Sequence, residues 1–315
     1  MYSYTIIQWL FFFYVYCFFG WCVESTYVSI HSRKLTNRGF IRGPFLPLYG
    51  SGAIVMLFVA MPFKDKLWLV YLAGCAGATA LEYVTGVVME ALFKVRYWDY
   101  SEMKFHFQGR ICLGSSIAWG FCTVFLTRFL HVLVERMVFA IPSQVLTVMT
   151  ILMTVLIGAD FALSFKAAID IRNLLAKMKS TKEELVHIRK RLDAIMISAG
   201  ESLGNRKDAI VESVDEIKSG IEDRFERFKN LARTKPSAYL ESAKEEVMEL
   251  VKKYTVDVEI RSRLSSIRDF FQRDLIRSNP SMTSDQYQDC LEELKDNASS
   301  KKERKRARKQ ESKKE

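Results

Sequence analysis

The chain has 315 residues, of which 49% are hydrophobic and 26% are charged, and its formal net charge is +10. The charges are uneven: residues 1–163 carry 12 Lys/Arg and 8 Asp/Glu, whereas residues 164–315 carry 34 and 28. This asymmetry excludes a single soluble globular domain. It indicates a membrane domain followed by a charged, soluble region.

Five apolar runs predict an all-α, polytopic membrane helix bundle, because a spanning helix needs roughly 20 mostly apolar residues. The second run is short and rich in glycine, so it is interpreted either as a span or as a re-entrant segment. The first run has no basic region before it and no small-residue cleavage site, which favours a retained helix over a signal peptide. The five runs are approximately Thr5–Ser29, Tyr49–Phe63, Leu67–Phe93, Ile111–Leu133 and Pro142–Phe165.

The short loops set the expected orientation, because cytoplasmic loops carry an excess of Lys and Arg. The first loop contains Arg33, Lys34, Arg38 and Arg42, and the third contains Lys94, Arg96, Lys104 and Arg110. The second and fourth loops carry fewer basic residues. We therefore predict an external N-terminus and a cytoplasmic C-terminus.

Beyond the fifth run the pattern becomes helical and polar. Residues 164–300 contain 25 basic and 25 acidic residues, and breaks are predicted near Gly200, Gly204 and Pro236. We predict a transmembrane domain at 1–165, a cytoplasmic helical, coiled-coil-like region at 166–300 and a basic tail at 301–315. The a/d heptad favours homo-oligomerisation, and it consists of Ile171, Leu174, Met178, Thr181, Leu185, Ile188, Leu192 and Ile195. Helices are also expected around 210–228, Ala238–Ile276 and Gln286–Leu294.

The tail 301–315 has nine basic and three acidic residues. Three interpretations stay open: binding of anionic lipid headgroups, a solvated terminus without a partner, and, least favoured, contact with nucleic acid. The six cysteines include no CxxC pair, and His106 has no His or Cys at ligand spacing, so no metal site is predicted.

Carboxylates lie where a lipid-spanning helix should have none. Glu82 and Glu90 lie in the predicted cytoplasmic half of the third run, and Glu24 and Asp160 lie near the same end of the first and fifth. A charge in the membrane interior costs at least ~2.5 kcal/mol, so these groups should face the bundle and find partners. Two interpretations stay open, a water-accessible binding site and a set of structural ion pairs. The predicted polar cluster is Glu24, Arg38, Arg42, Glu82, Glu90, Asp99 and Arg110.

Two loops carry further candidates. The segment Thr36–Gly50, "TNRGFIRGPFLPLYG", contains three glycines and two prolines and cannot form a regular helix. Its Arg-Gly pairs either present donors to an anion or form a tight connection that holds the topology. In "YWDYS", Trp98 and Tyr100 are placed as interfacial anchors.

Four stretches resemble a bacterial membrane family, the type IV or CmpB-like ABC-transporter permeases. They are "NRGFIRGPFLPLYGSG" (37–52), "ALEYVTGVVMEALFKVRYWDYS" (80–101), "GRICLGSSIAWG" (109–120) and "DFALS" (160–164), and the resemblance covers residues 10–164. His106 stands where the family usually has asparagine, and Leu46 often corresponds to cysteine. The resemblance implies roles for every residue of the predicted polar cluster except Arg42. It also implies roles for Asn37, Gly43, Pro44, Tyr49, Gly50, Tyr83, Trp98, Tyr100, Ser101, Gly109 and Trp119. Asp160 lies in the fourth stretch.

The resemblance implies an inner-membrane, multi-pass permease. The chain has no GxxxxGK[ST] phosphate loop, so a separate ATPase subunit is expected on the cytoplasmic loops. The leading hypothesis is thus a permease-type protein in the lipid bilayer with a cytoplasm-facing polar site. Under this hypothesis we expect the chain not to be an enzyme and to have no cofactor or catalytic residue of its own.

Two rival hypotheses remain. In the first, the membrane half anchors a scaffold or sensor whose coiled-coil half recruits cytoplasmic partners. In the second, Glu82 and Glu90 act as acid and base on a lipid-like substrate. The second is disfavoured because the two glutamates lie roughly 12 Å apart along the helix axis.

Overall fold

The computed structural model describes residues 4–33, 35–199, 213–234, 238–265 and 269–298. The breaks predicted at Gly200, Gly204 and Pro236 and the basic tail 301–315 lie outside these residues. Within them the predicted all-α class is confirmed, since the one sheet is a two-stranded hairpin. The chain forms two compact units, one made of Met1–Arg172 with Arg268–Glu315, the other of Asn173–Ile267.

The first unit contains the membrane helices and a short C-terminal helical pair. Its elements in chain order are α1 (Ile6–Ser32), α2 (Pro47–Ala60) with a 3₁₀ turn (Met61–Phe63), α3 (Leu67–Phe93), strands β1 (His106–Phe107) and β2 (Ile111–Cys112), α4 (Leu113–Phe125), a π-helical turn (Leu126–Leu130), α5 (His131–Phe139), the first half of α6 (Ser143–Ser198), α9 (Phe270–Ser278) and α10 (Gln288–Ala298).

Four helical segments of the described chain are long and apolar enough to cross a membrane. They are Ile6–His31, Leu67–Phe93, Leu113–Phe139 and the helix that begins at Ser143. The segment Pro47–Phe63 is apolar but shorter, so the second predicted span remains the uncertain one. The fourth span ends later than predicted, because the π-helical turn joins α4 to α5 without a break. The protein is therefore a multi-pass membrane protein.

Local sequence explains where α1 and α2 begin. The Thr5 hydroxyl caps α1 by accepting a hydrogen bond from the Gln8 backbone N–H, and the Gln8 side-chain oxygen accepts one from the Thr5 backbone N–H. Pro47 occupies the first turn of α2, where its missing N–H costs nothing. A Cβ on Gly50 would lie 2.4 Å from the Cys17 Sγ atom, so α1 and α2 pack closely only because residue 50 is glycine.

Bulky side chains fill the middle of the bundle. Phe12, Leu57 and Val134 are fully buried there and come from α1, α2 and α5. Residues such as Val155 and Leu156 on α6 are exposed by 64% and 69% in the isolated chain. An apolar outer face of this kind is expected of helices that lie in lipid.

The C-terminal helical pair belongs to the membrane unit. The helix predicted over Ala238–Ile276 is instead two helices. The first is α8 (Ala238–Ser265), and the second is α9, which starts at Phe270. Asp269 caps α9 by accepting from the Gln272 amide at 3.0 Å. The short helix predicted around Gln286–Leu294 corresponds to α10.

The second unit consists of the end of α6 with α7 (Val214–Thr234) and α8 (Ala238–Ser265). The ion pairs Arg191–Glu246 and Lys253–Glu184 show that α8 runs antiparallel to α6. The heptad residues Leu185, Ile188, Leu192 and Ile195 are buried in this unit's own core, together with residues of α7 and α8. This apolar face is therefore covered by the same chain, and oligomerisation through it remains only a prediction.

Candidate functional site

A cavity of about 370 Å³ lies where α1 and α3 end, and we call it the polar chamber. Its walls come from α1, α2, α3, α4, α6, the two loops that follow α1 and α3, and the C-terminal segment. Its lining includes Glu24, Arg38, Tyr49, Glu82, Tyr97, Trp98, Tyr100, Trp119 and Asn279. The volume falls within the range of ligand pockets.

Glu82 is the buried carboxylate of this chamber, with 6% of its surface exposed. It continues the buried stripe of Val70, Gly74 and Ala78 on α3, spaced four residues apart, and so points into the bundle.

Three neutral donors reach the carboxylate of Glu82. Tyr100 Oη donates to Oε1 at 2.9 Å, while Trp119 Nε1 and Ser115 Oγ donate to Oε2 at 2.9 and 3.3 Å. None of the basic residues in the described chain forms an ion pair with it. The arginine partner expected from the sequence is therefore not found at Glu82.

Glu24 does have a basic partner. Its Oε1 lies 3.6 Å from Nε of Arg38, and its Oε2 accepts a hydrogen bond of 2.7 Å from Tyr49 Oη. The loop after α1 thus returns over the end of that helix and brings together two members of the predicted polar cluster.

Arg38 is also bonded on both terminal nitrogens. Nη1 donates to Asn279 Oδ1 at 3.1 Å and to the Ser278 carbonyl at 3.3 Å. Nη2 donates to the Tyr97 carbonyl at 3.1 Å and to Ser281 Oγ at 3.0 Å. Burial lowers the pKa of the Arg38 guanidinium, and Glu24 opposes that shift. With these donors engaged, Arg38 fastens the loop to the C-terminal segment.

Glu90 forms a separate ionic cluster. Arg96 donates to both of its oxygens at 3.1 and 3.2 Å, and Arg110 Nη2 lies 2.9 Å from Oε2. Arg96 further contacts Asp99 at 3.8 Å and Asp285 at 2.6 Å. Both oxygens of Glu90 are thus taken up by guanidinium groups of the following loop.

Arg42 and Asp160 differ from expectation. Arg42 Nε bonds Asp274 at 3.0 Å, and its guanidinium lies 4.4 Å from the centre of the Phe270 ring, on the surface of the C-terminal helices. Asp160 accepts from the Gly43 amide at 2.7 Å rather than from an arginine. The physical reason is that α9 covers the loop and offers Arg42 a nearer carboxylate.

Turn geometry accounts for several of the motif residues. Phe45 N bonds the Gly43 carbonyl at 2.7 Å, which closes a three-residue turn on Pro44. Asn37 accepts from Trp21 Nε1 and donates to the Arg42 carbonyl, both at 2.6 Å. These residues shape the loop that carries Arg38.

The loop after α3 is held in the same way. Asp99 Oδ1 accepts from the amide and hydroxyl of Ser101 at 2.9 and 2.5 Å. Although burial opposes it, these bonds, Arg96 and Thr283 hold the pKa of Asp99 below its usual range. Gly109, at φ +68°, packs against both side chains.

Other motif residues complete this loop. Trp98 Nε1 donates to the Arg110 carbonyl at 3.0 Å, and Tyr83 Oη donates to Gln108 at 3.2 Å. His106 Nδ1 accepts from the Gly109 amide at 3.2 Å, which is a local turn contact. Burial and the neighbouring Glu82 raise the pKa of Tyr100, which keeps its hydroxyl as a donor.

A second cavity, of about 410 Å³, adjoins the polar chamber, and we call it the apolar cavity. It is lined by α1, α2, α3 and α4. Three of its lining residues, Val23, Phe121 and Phe125, are exposed by 65%, 66% and 58%. Exposed apolar residues at its edge mean that the cavity opens sideways toward lipid. The residues shared by both cavities are Leu48, Tyr49, Leu81, Glu82 and Trp119.

Sequence reasoning missed a polar cluster at the other end of α1. His131 is 1% exposed, and its Nδ1 and Nε2 lie 2.6 and 3.1 Å from the hydroxyls of Tyr16 and Tyr4. Tyr4 also bonds Glu135. Spacing of four residues between His131 and Glu135 was a usable clue, since it places both on one helix face.

The polar residues of the C-terminal segment were also missed. Asn279, Ser281, Thr283 and Asp285 contact Arg38, Asp99 or Arg96. Within the described residues no group of three or more His, Cys, Asp or Glu side chains is placed to hold a metal ion.

A family model described as "Putative ABC-transporter type IV" matches residues 11–165. The matched range covers α1 to the middle of α6 and includes every chamber residue except Asn279. Comparison with curated proteins and with solved structures gives no match.

Proposed function

Since residues 11–165 of this chain match the family described as "Putative ABC-transporter type IV", we propose that the protein is the membrane subunit of such a transporter and holds its solute in the polar chamber. The observation that carries this proposal is Glu82. Burying a carboxylate that has neutral donors and no ion pair in the described chain costs free energy. Such a residue inside a membrane domain is therefore interpreted as part of a ligand site.

The ionic contacts divide the predicted site into two roles. Glu82, with Tyr100 and Trp119, lines the chamber and forms its ligand-facing part. Glu90, Arg96 and Arg110 bind one another outside it and hold the loop after α3. This separation also argues against joint acid and base action by Glu82 and Glu90. We propose that the chain itself is not an enzyme.

Energy would come from a separate ATPase subunit. The loops after α1 and α3, on which such a subunit was expected to dock, are contacted by α9 and the residues that follow it through Arg38–Asn279 and Arg96–Asp285. We propose that the ATPase docks on the surface formed by α9 and α10. In the expected orientation this surface faces the cytoplasm. We propose that the protein itself lies in the inner membrane of a bacterium.

The test is mild extraction of the full chain from its native membrane, followed by mass spectrometry of the bound proteins. A stoichiometric subunit with a phosphate-binding loop is the expected result. ATP hydrolysis by that complex should lose its solute dependence in Glu82→Gln. Recovery of no ATPase in repeated extractions would overturn the proposal.

A scaffold or sensor is the second candidate, favoured by one observation. The unit Asn173–Ile267 is compact and has its own apolar core, so it can present a surface to soluble partners. Partners that depend on this unit, recovered in place of an ATPase, would support that function.

A further inference from the structure

The polar chamber and the apolar cavity share one wall. Glu82, Tyr49 and Trp119 line both, so the two spaces meet at the carboxylate. One space is lined by charged and aromatic residues, and the other almost wholly by apolar side chains from four helices. A molecule that fills both must therefore have a polar head and a hydrocarbon chain.

The sideways opening of the apolar cavity agrees with this. Val23 lies at its edge on α1, and Phe121 and Phe125 lie at its edge on α4. An amphiphile resting in the bilayer can pass its chain between these two helices while its head enters the chamber. A small water-soluble solute would have no use for this route.

The charge of the chamber decides the head group. Its two carboxylates are Glu24 and Glu82, and its one guanidinium, Arg38, is paired with Glu24 and bonded to the C-terminal segment. Glu82 is therefore the carboxylate of the chamber that has no basic partner in the described chain. An anionic head would meet this carboxylate and find the donors of Arg38 already in use.

Aromatic residues surround the same space. Phe40, Tyr97, Trp98 and Phe161 line the chamber in addition to Tyr49, Tyr100 and Trp119. Aromatic side chains around a carboxylate form a favourable setting for an ammonium ion.

Tyr97 provides an independent observation. Its side chain is 5% exposed and lines the chamber, and within the described chain its hydroxyl has no hydrogen-bond partner. Buried hydroxyls are normally bonded. The Tyr97 oxygen is thus a second unused acceptor in the chamber wall. Glu82 accepts three hydrogen bonds and has lone-pair capacity for about one more, which an ammonium can fill.

We propose, on the basis of the proposed function, that the substrate is an amphiphile with an amine head group, whose ammonium binds Glu82 in the polar chamber and whose chain occupies the apolar cavity.

The test uses the purified full chain in phosphatidylglycerol nanodiscs, with protein-free discs as background. The probes are radiolabelled dodecylammonium, dodecyl sulfate and butylammonium. Saturable binding of one dodecylammonium per chain is expected, with no saturable binding of dodecyl sulfate. Glu82→Gln should weaken binding by about ten- to hundredfold, the range for one charge-assisted hydrogen bond.

Gly52 offers a sharp test of the chain site. It lines the apolar cavity, and a Cβ added there meets no atom within 4 Å. The Cβ of Gly52→Phe is therefore accommodated, and the ring should occupy the cavity and abolish binding of dodecylammonium, while butylammonium still binds. The matched control is Gly158→Phe, since a Cβ at Gly158 on α6 also meets open space but lines neither cavity.

Melting temperatures establish whether each variant is folded. If Glu82→Gln does not fold, Tyr97→Phe serves as the head-group variant in its place. Equal saturable binding of dodecyl sulfate, or unchanged binding in the folded head-group variants, would overturn the amine. Equal effects of Gly52→Phe and Gly158→Phe would overturn the chain site. These measurements need no ATPase, so their failure is distinct from a failure to recover the ATPase subunit.

Discussion

Arg38 donates a hydrogen bond of 3.1 Å to Oδ1 of Asn279, which follows it by 241 residues. The side-chain amide of Asn279 in turn donates to the Gly39 carbonyl at 2.9 Å. Asn279 thus accepts a hydrogen bond from Arg38 and donates one to the neighbouring residue of the same loop. The contacts join the first loop of the membrane unit to the end of α9. Since Asn279 also lines the polar chamber, this contact closes one of its walls.

We expect Asn279→Ala to loosen the C-terminal segment. The change leaves an Arg38 donor and the Gly39 carbonyl unsatisfied, which costs about 1–3 kcal/mol for each buried group. Hydrogen exchange in residues 269–298 should become roughly tenfold faster or more. Glu292→Gln is the control, because Glu292 is exposed and its partners Gln288 and Lys295 lie on α10 itself. Equal exchange in both variants would show that the contact does not hold the segment.

Glu90→Gln should destabilise the membrane unit. Glu90 accepts from Arg96 and Arg110, whose side chains are only 16% and 19% exposed. In the glutamine variant Arg110 would lose its carboxylate partner, and Arg96 would keep only Asp99 and Asp285. We expect a loss of about 1–3 kcal/mol, seen as a lower melting temperature in detergent. Glu102→Gln, in the same loop but exposed, should melt like the unaltered protein. A normal melting temperature for Glu90→Gln would mean that the cluster contributes nothing to stability.

The loop after α3 should open in acid. Because the folded pKa of Asp99 is lowered, its contribution to stability is complete above its unfolded pKa of about 3.9 and is lost as the pH falls through the folded value. Pepsin should therefore cut within residues 97–110 increasingly as the pH falls below about 4. Asp99→Asn should be cut already at the upper end of this range, whereas Glu102→Gln should keep the original profile. Rates are normalised to an unfolded peptide, and a wild-type profile for Asp99→Asn would contradict the assignment.

Gly109→Ala should be poorly tolerated. Gly109 has φ +68°, and a Cβ there would lie 2.6 Å from Ser101 Oγ and 2.7 Å from Asp99 Oδ1. Strain of this kind costs about 1–3 kcal/mol, which thermal melting can detect. Gly114→Ala, at the start of α4, is the matched control: its Cβ meets only Cys112 Sγ at 3.9 Å, and alanine is the better helix former. The order of the two melting temperatures decides the matter, and a Gly109→Ala protein as stable as Gly114→Ala would refute the argument.

The membrane helices could be predicted from the sequence because length and apolarity alone define them. The sequence grouped Glu24, Arg38, Glu90 and Arg110 in one polar cluster, but it did not assign the pairs Glu24–Arg38 and Glu90–Arg110. Arg96 could not be placed in the same way. It reaches Glu90 because Lys94 ends α3 in the left-handed conformation, at φ 59°, where glycine is the usual residue. Because lysine stands at this position in place of glycine, nothing in the sequence indicates the turn.

The C-terminal wall of the chamber was beyond sequence reasoning for a different reason. Asn279, Ser281 and Thr283 lie in a stretch without helical or strand periodicity. Their partners are more than 180 residues earlier in the chain, and the contacts are made by short polar side chains that occur in any loop. The heptad of α6 shows the converse: the pattern correctly marked a buried face, but it carried no information on which helices cover that face.

The docking of residues 269–298 has a consequence for biosynthesis. Chains are made from the N-terminus and their domains form in that order. The loops bearing Arg38 and Arg96 therefore leave the ribosome long before Asn279 and Asp285 exist. During this interval both arginines lack their last partners, and the chamber has no C-terminal wall. The chamber therefore gains this wall only after residues 269–298 have been made, and a chain that stops before Asn279 would lack it.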